Sequence, residues 1–129
     1  TTLLTQIEAV LNSRPLSPLS TDPNDVNPLT PAHFLIGRSL VAIADHNLVE
    51  APNNRLNHYQ QLQAMVQHFW KRWQKEYLHG LQMRNKWRKP TTPIKVGDLV
   101  TIVDDNLPTC TWKMGRVIQL HPGKDNEVR

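Results

Sequence analysis

The sequence predicts an α+β fold in which helices precede a small, incomplete antiparallel β-barrel. Three observations predict it. Leu3, Leu4, Ile7, Val10 and Leu11 recur at helical spacing near the start. Leu56, Tyr59, Leu62, Val66, Phe69, Trp70, Trp73 and Tyr77 fall on one face of a much longer helix advancing about 100° per residue. After Pro90 and Pro93 the hydrophobic period drops to two, as in strands.

The elements follow in order. The first helix covers residues 2–13, and Pro15 biases Arg14 away from helix. Residues 14–29 carry Pro15, Pro18, Pro23 and Pro28 among Ser, Thr, Asn and Asp, and read as a loop draped on a surface. Thr30 is a capping residue, Pro31 suits the first helical position and Gly37 suits a stop. A short helix, Pro31–Ile36, is therefore expected, with Phe34, Leu35 and Ile36 as its anchors. Leu40–Ile43 is apolar without a decisive period, and residues 44–54 are polar loop. Asn53 or Asn54 can cap the long helix, placed at about 54–79, with Gly80 as its stop. His68, Lys71, Arg72, Lys75 and His79 gather opposite the apolar stripe, and Arg72 with Glu76 forms an i, i+4 pair.

Residues 96–103 predict a strand, and Asp104-Asp105-Asn106 with Pro108 a turn. Trp112, Met114, Ile118 and Leu120 mark a second strand, in which Gly115 permits a bend or bulge. Pro122-Gly123-Lys124-Asp125-Asn126 turns again, and Val128 opens a third strand. Strands linked this closely form a meander typical of a small barrel, here with an unpaired edge.

A chain of 129 residues holds one ordinary domain or two small pieces. Six of its ten prolines lie in residues 15–52, the mark of an extended, wrapping segment. Cys110 is the single cysteine, so no internal disulfide forms, which fits a reducing compartment. No apolar run approaches the roughly 18 residues of a membrane span, and the start has no signal-peptide pattern. The sequence starts at Thr1 inside a helical pattern and stops at Arg129 entering a strand, and so reads as a fragment of something longer.

Charge is the most informative property. Residues 55–89 hold eight of the fifteen Lys and Arg against one acid, Glu76, and carry +7. The part before them carries −3 and the part after them is neutral. The stretch closes on Arg84-Asn85-Lys86-Trp87-Arg88-Lys89. Cations this concentrated, with aromatics among them, point to a polyanion and above all to nucleic acid. Lys and Arg neutralise phosphates and release counterions. Trp87 can stack on a base, whereas the spacing of Trp70 and Trp73 assigns them to the buried stripe. The candidate nucleic-acid contacts are Lys71, Arg72, Lys75, Arg84, Lys86, Trp87, Arg88 and Lys89, joined by Lys113 and Arg116 on the second strand.

No chemistry-bearing constellation competes with this reading. Asp22 and Asp25 sit in the Pro-rich loop, where turn residues exposed to water are expected, and Glu8 lies away from the apolar face. His58, His68 and His79 are ten and eleven residues apart, which is not ligand spacing, and one cysteine makes no Cys/His zinc set. Cys110 has no base partner in sequence, Ser13, Ser17 and Ser20 lack a nucleophile-elbow context, and all five glycines are isolated.

Three phrases together resemble a known family. They are Ile7-Glu8-Ala9-Val10-Leu11-Asn12-Ser13-Arg14-Pro15-Leu16, then Leu29-Thr30-Pro31-Ala32-His33-Phe34-Leu35-Ile36-Gly37-Arg38, then Val96-Gly97-Asp98-Leu99-Val100 with Trp112-Lys113-Met114-Gly115-Arg116-Val117 and Pro122-Gly123-Lys124-Asp125. In that order they resemble the carboxy-terminal part of integrases from the Pao/BEL class of long-terminal-repeat retrotransposons. The resemblance implies that residues 1–45 are the end of a ribonuclease-H-like integrase core. It makes 46–90 a loop, long amphipathic helix and basic linker, and 91–129 a truncated SH3-like barrel that helps hold DNA. It also implies DNA integration in the nucleus by a parent protein that binds a divalent metal such as Mg²⁺ through two aspartates and a glutamate. None of those three maps onto this chain, so the fragment is expected to be catalytically inert and to carry no cofactor itself. DNA is the implied partner, with self-association inside an integrase multimer. The rival expectation is a protein-interaction module that uses the amphipathic helix and barrel for multimerisation or chromatin-peptide binding. One departure is visible: Asn126 stands where the family commonly has Gly after the Asp of the last turn.

Overall fold

The computed structural model describes residues 2–42, 45–82, 92–126 and 128. Their order is α1 (Thr2–Asn12), β1 (Ser17–Pro18), β2 (Pro28–Leu29), α2 (Pro31–Ile36), a 3-10 turn at Asn53–Arg55, α3 (His58–Gln82), β3 (Leu99–Thr101) and β4 (Met114–Arg116). The class is α+β, with helices and two small antiparallel sheets. No closed barrel is present among the described residues. Nor is any described helix long and apolar enough to cross a membrane.

α1 ends because side chains take over its last carbonyls. The Ser13 hydroxyl donates to Val10 O at 2.7 Å and the Arg14 guanidinium to Leu11 O at 2.8 Å. The following Pro-rich stretch is more ordered than a draped loop. Ser17 pairs with Leu29 and Pro18 with Pro28, and the Leu16 and Leu19 amides extend the pairing to Leu29 O and Asn27 O. Proline at both partners of one bridge removes its donors, which keeps this ladder short.

α2 occupies the expected residues. Pro31 opens it, the Thr30 amide donates to His33 Nδ1 at 3.0 Å, and Gly37 closes it at φ 75° with its N–H on His33 O. Its expected anchors are corrected. Ala32 is the buried residue, while Phe34, Leu35 and Ile36 are 75%, 66% and 52% exposed. A helix of six residues has too few turns to bury both faces, and the small face is the one turned inward.

α3 begins later and runs further than its pattern suggests. Asn53 belongs to the 3-10 turn, and the cap is Asn57. Asn57 Oδ1 accepts from the Gln60 amide at 2.9 Å, and Gln60 Oε1 accepts from the Asn57 amide at 3.0 Å. This is a reciprocal capping box, which satisfies two orphan donors where Asn53 or Asn54 would satisfy one. Gly80 does not stop the helix, which continues to Gln82. Glycine ends helices where a left-handed residue follows the last turn, and no such conformation occurs at Gly80.

The core is built from three parts of the chain. Val10 of α1 and Val66 and Trp70 of α3 are buried together, with Leu3, Phe69, Trp73, Cys110 and Trp112 packed against them. Trp112 sits at the centre of a ring cluster, 5.0 Å from Trp70, 5.6 Å from Tyr77 and 5.8 Å from Trp73, edge-on to each. Three of the polar tips find partners far away in sequence. Trp70 Nε1 donates to Leu107 O at 3.1 Å, Tyr77 Oη to Pro15 O at 3.0 Å and Trp112 Nε1 to Ser13 Oγ at 3.1 Å. The stripe on α3 is therefore largely covered by the chain itself. Tyr59 is the exception at 59% exposed, and Ala64, Gln74 and Leu78 join the buried face unforeseen.

The β region is corrected most. Leu99, Val100 and Thr101 pair with Arg116, Gly115 and Met114, and backbone bonds from Gly97 and Ile102 continue the ladder by one or two residues at each end. The expected strands of about eight residues shrink to three because the connection between them is drawn away to α3. There it delivers the Leu107 carbonyl, Cys110 and Trp112 to the core. Cys110 takes a left-handed backbone, φ 61°, to make that excursion. Gly115 has a packing reason, since a Cβ there would meet Ile102 Cδ1 at 3.1 Å. Val128, expected to open a third strand, lies in none. Asn126 is left-handed at φ 60°, the conformation that glycine takes most easily and asparagine next.

Candidate nucleic-acid interface

Five cationic or titratable residues, His68, Lys71, Arg72, Lys75 and His79, all stand exposed on the outer face of α3. The helix holds them there because Val66 and Trp70 are buried, with Trp73 packed against them, on the other side. Exposure does not leave them equally free. Arg72 Nε lies 2.8 Å from Glu76 Oε1, and this carboxylate, by hydrogen bond and charge, raises the already high Arg72 pKa. Lys75 Nζ is 3.1 Å from Asp105, and Lys113 Nζ is 3.2 Å from Asp104. Exposed pairs of this kind contribute roughly 0–1 kcal/mol and exchange readily for a phosphate partner. Lys71 forms no ion pair among the described residues.

Arg116 has a different position. Nη1 donates to Gly97 O at 2.8 Å, and Nη2 donates to Asp22 O at 3.0 Å and Asp25 O at 2.8 Å. The guanidinium thus fastens the Pro-rich segment to the β3–β4 pair, with three backbone carbonyls as its partners in a partly exposed position. Arg116→Ala is expected to cost about 1–3 kcal/mol, because hydrogen bonds from a charged donor are lost and carbonyls are left without it. Arg116→Lys is expected to recover only part of this, since an ammonium cannot reproduce the fork. Urea midpoints of the two variants measure both effects.

The tract Arg84–Lys89, with Lys86, Trp87 and Arg88 inside it, lies outside the described residues. The structure accordingly brings Lys71, Arg72 and Lys75 together on one helix face, places Lys113 apart on the β3–β4 side with Asp104, and commits Arg116 to an internal role.

The carboxylates of the Pro-rich loop make turns. Asp22 Oδ1 accepts from the Asn24 amide at 2.9 Å, and Asp25 accepts from the Asn27 amide at 2.9 Å and the Ser20 hydroxyl at 2.8 Å. The Asn27 backbone N–H first, then the Ser20 hydroxyl, with a smaller part from Arg116, hold the Asp25 carboxyl below its ordinary 3.8. A depressed folded-state pKa adds stability above the unfolded value that disappears as pH falls through the folded one. Asp25→Asn is therefore expected to flatten the loss of stability below about pH 4, read as urea midpoints between pH 5 and pH 3. Burial pushes the Cys110 thiol up, partly opposed by a hydrogen bond with Ser13. No group of three or more His, Cys, Asp or Glu is arranged for a metal ion among the described residues.

Gln67 makes a further pair of polar contacts that the sequence does not announce. Gln67 Oε1 accepts from the Leu48 amide at 2.8 Å and Gln67 Nε2 donates to His46 O at 2.8 Å. A single amide thereby clamps the 45–50 segment to α3. Its only trace in the sequence is a glutamine close to the apolar stripe.

An α+β chain with a cation-bearing long helix packed on an aromatic core is the class these features define. Residues 57–129 match a family described as Family of unknown function (DUF5641), and the chain belongs to it. No curated protein and no solved structure matches the chain.

Proposed function

We propose that this chain is the DNA-binding carboxy-terminal region of a Pao/BEL-type retrotransposon integrase, holding phosphates without reading bases. The observation that carries this reading is the concentration of +7 in residues 55–89, flanked by −3 and by neutrality. The exposed Lys71, Arg72 and Lys75 of α3 support it, with Arg84, Lys86, Arg88 and Lys89 following in sequence. Trp87 would stack on an unpaired base. In this reading β3 and β4 are the opening strands of an SH3-like barrel, and residues 1–45 close a ribonuclease-H-like core. Catalysis and its divalent metal belong to the parent integrase, acting in the nucleus, and this region contributes grip.

The test is fluorescence anisotropy with a labelled DNA duplex between 50 and 200 mM salt. The logarithm of affinity is expected to fall linearly with the logarithm of salt, with a slope of about −0.9 per phosphate neutralised. It is expected to be nearly the same for unrelated duplex sequences. Affinity indifferent to salt defeats the proposal.

A second reading, self-association, is favoured by one observation. Phe34, Leu35 and Ile36 stand exposed on α2 although the sequence marks them as anchors. The stripe on α3 cannot serve that purpose, since it packs mainly on the chain's own Val10 and Trp112. Light scattering of the wild type and of Phe34→Ser separates the two readings: a monomer with salt-sensitive DNA affinity leaves only the first.

A further inference from the structure

Two lysines of the candidate interface, on different elements, are held by adjacent acids. Lys75 Nζ of α3 lies 3.1 Å from Asp105 Oδ1, and Lys113 Nζ, just before β4, lies 3.2 Å from Asp104 Oδ2. Consecutive residues stand only about 3.8 Å apart at Cα, so a single dipeptide ties a cation of the helix to a cation of the β3–β4 pair.

The fold keeps that dipeptide in place. Asp104 Oδ1 accepts from the Asn106 amide at 3.1 Å while its other oxygen meets Lys113. Two residues beyond Asp105, the Leu107 carbonyl accepts the indole N–H of buried Trp70, and Cys110 packs against the core. The loop therefore leaves α3 only if buried contacts open. The Asn106 backbone N–H first, then the Lys113 ammonium, hold the Asp104 carboxyl below its ordinary 3.8. Carboxylates fixed beside Lys75 and Lys113 occupy the ammonium groups and repel an approaching phosphate. Lys71, one turn before Lys75, forms no ion pair among the described residues. A duplex held by other cations presents its next phosphate to Lys75 at high effective concentration, an advantage that an isolated phosphate lacks.

We propose that Asp104 and Asp105 form an acidic clasp on the DNA-binding surface. They occupy Lys113 and Lys75 in the free chain, and a polyanion must displace them to engage those lysines. The clasp restrains DNA binding, and it rests on the DNA-binding reading.

The test is anisotropy of the full chain with a labelled DNA duplex at 50 mM salt, where phosphate contacts are strong. Asp104→Asn with Asp105→Asn is expected to tighten binding about fivefold. Asp105→Asn alone is expected to tighten it about two- to threefold in the wild type and to have almost no effect in a Lys75→Met chain, because the acid acts through that lysine. Glu8→Gln removes one charge from an exposed position of α1 and is expected to gain less than Asp105→Asn. Melting temperatures identify any variant that fails to fold. The Asp105–Lys75 cycle tests the clasp without Asp104, whose carboxylate also braces the turn at Asn106. The proposal is overturned if folded Asp105→Asn binds no tighter than the wild type, if Glu8→Gln gains as much, or if the gain persists undiminished in the Lys75→Met chain. Any of these with a wild type that binds in the expected salt-dependent way overturns the clasp alone. A wild type without affinity for the duplex overturns the clasp and the DNA-binding reading together.

Discussion

Trp112→Ala is expected to lower stability by about 3–5 kcal/mol, the range for truncating a large aromatic in a packed core. That is a large fraction of the roughly 5–15 kcal/mol available to a domain, so the variant is expected to be partly unfolded at 37 °C. The loss is large because one indole does several things. It touches Trp70, Trp73 and Tyr77 edge-on, and its Nε1 donates to the buried Ser13 hydroxyl. Removing it leaves a cavity between α3 and the approach to β4 and strips a partner from Ser13. Trp112→Phe separates the contributions. It keeps much of the ring packing and gives up the hydrogen bond, so about 1–2 kcal/mol of the loss should remain. Equilibrium urea unfolding followed by far-ultraviolet circular dichroism measures both. A Trp112→Ala chain within 1 kcal/mol of the wild type, a loss expected only of peripheral positions, would show that the ring cluster is not the core.

Replacing Arg84, Lys86, Arg88 and Lys89 together by alanine is expected to make the salt dependence of DNA binding shallower by about 3–4 units of log–log slope. In consequence the wild type should lose about a hundredfold more affinity than the variant between 50 and 200 mM salt. The fold should tolerate the change, so the melting temperature of the variant serves as the control. Arg116→Ala supplies the contrast. It removes a cation that is hydrogen-bonded to Gly97, Asp22 and Asp25 carbonyls, so it should reduce stability while leaving the slope nearly as it was. A quadruple variant with an unchanged slope would remove the basic stretch from the interface.

These contrasts show what one-dimensional reading can and cannot supply. Local chemistry is legible. Thr30, Pro31 and Gly37 bounded α2 because a cap, a fixed φ and a left-handed exit are properties of single residues. The apolar stripe located α3 for the same reason, since periodicity survives in sequence. Its start was misplaced because Asn53, Asn54 and Asn57 are all able to cap, and the choice fell to the one with a glutamine three residues on. Burial is not legible in the same way. Phe34, Leu35 and Ile36 look like anchors until the packing of α2 is seen. Ile102, Val103 and Ile118 look like strand interior until the loop between them is drawn toward Trp70. The candidate interface suffers from the same blindness. Counting cations along residues 55–89 cannot register that Lys75 meets Asp105, thirty positions away, or that Arg116 reaches back to Asp22 and Asp25. It does register the excess that no acidic neighbour in that stretch offsets.

The pairing of Trp112 with Ser13 spans 99 positions, and that of Tyr77 with Pro15 spans 62. A nascent chain leaving the ribosome must hold α1 and α3 without their lid until residue 112 has emerged. Loop-closure entropy on that scale must be met before the rings reward it, so folding should be slow for a chain with this much helix. During that delay Val10, Val66 and Trp70 face water, and the interval before the last aromatic arrives is when the protein is most exposed to chaperones, proteases and its own aggregation.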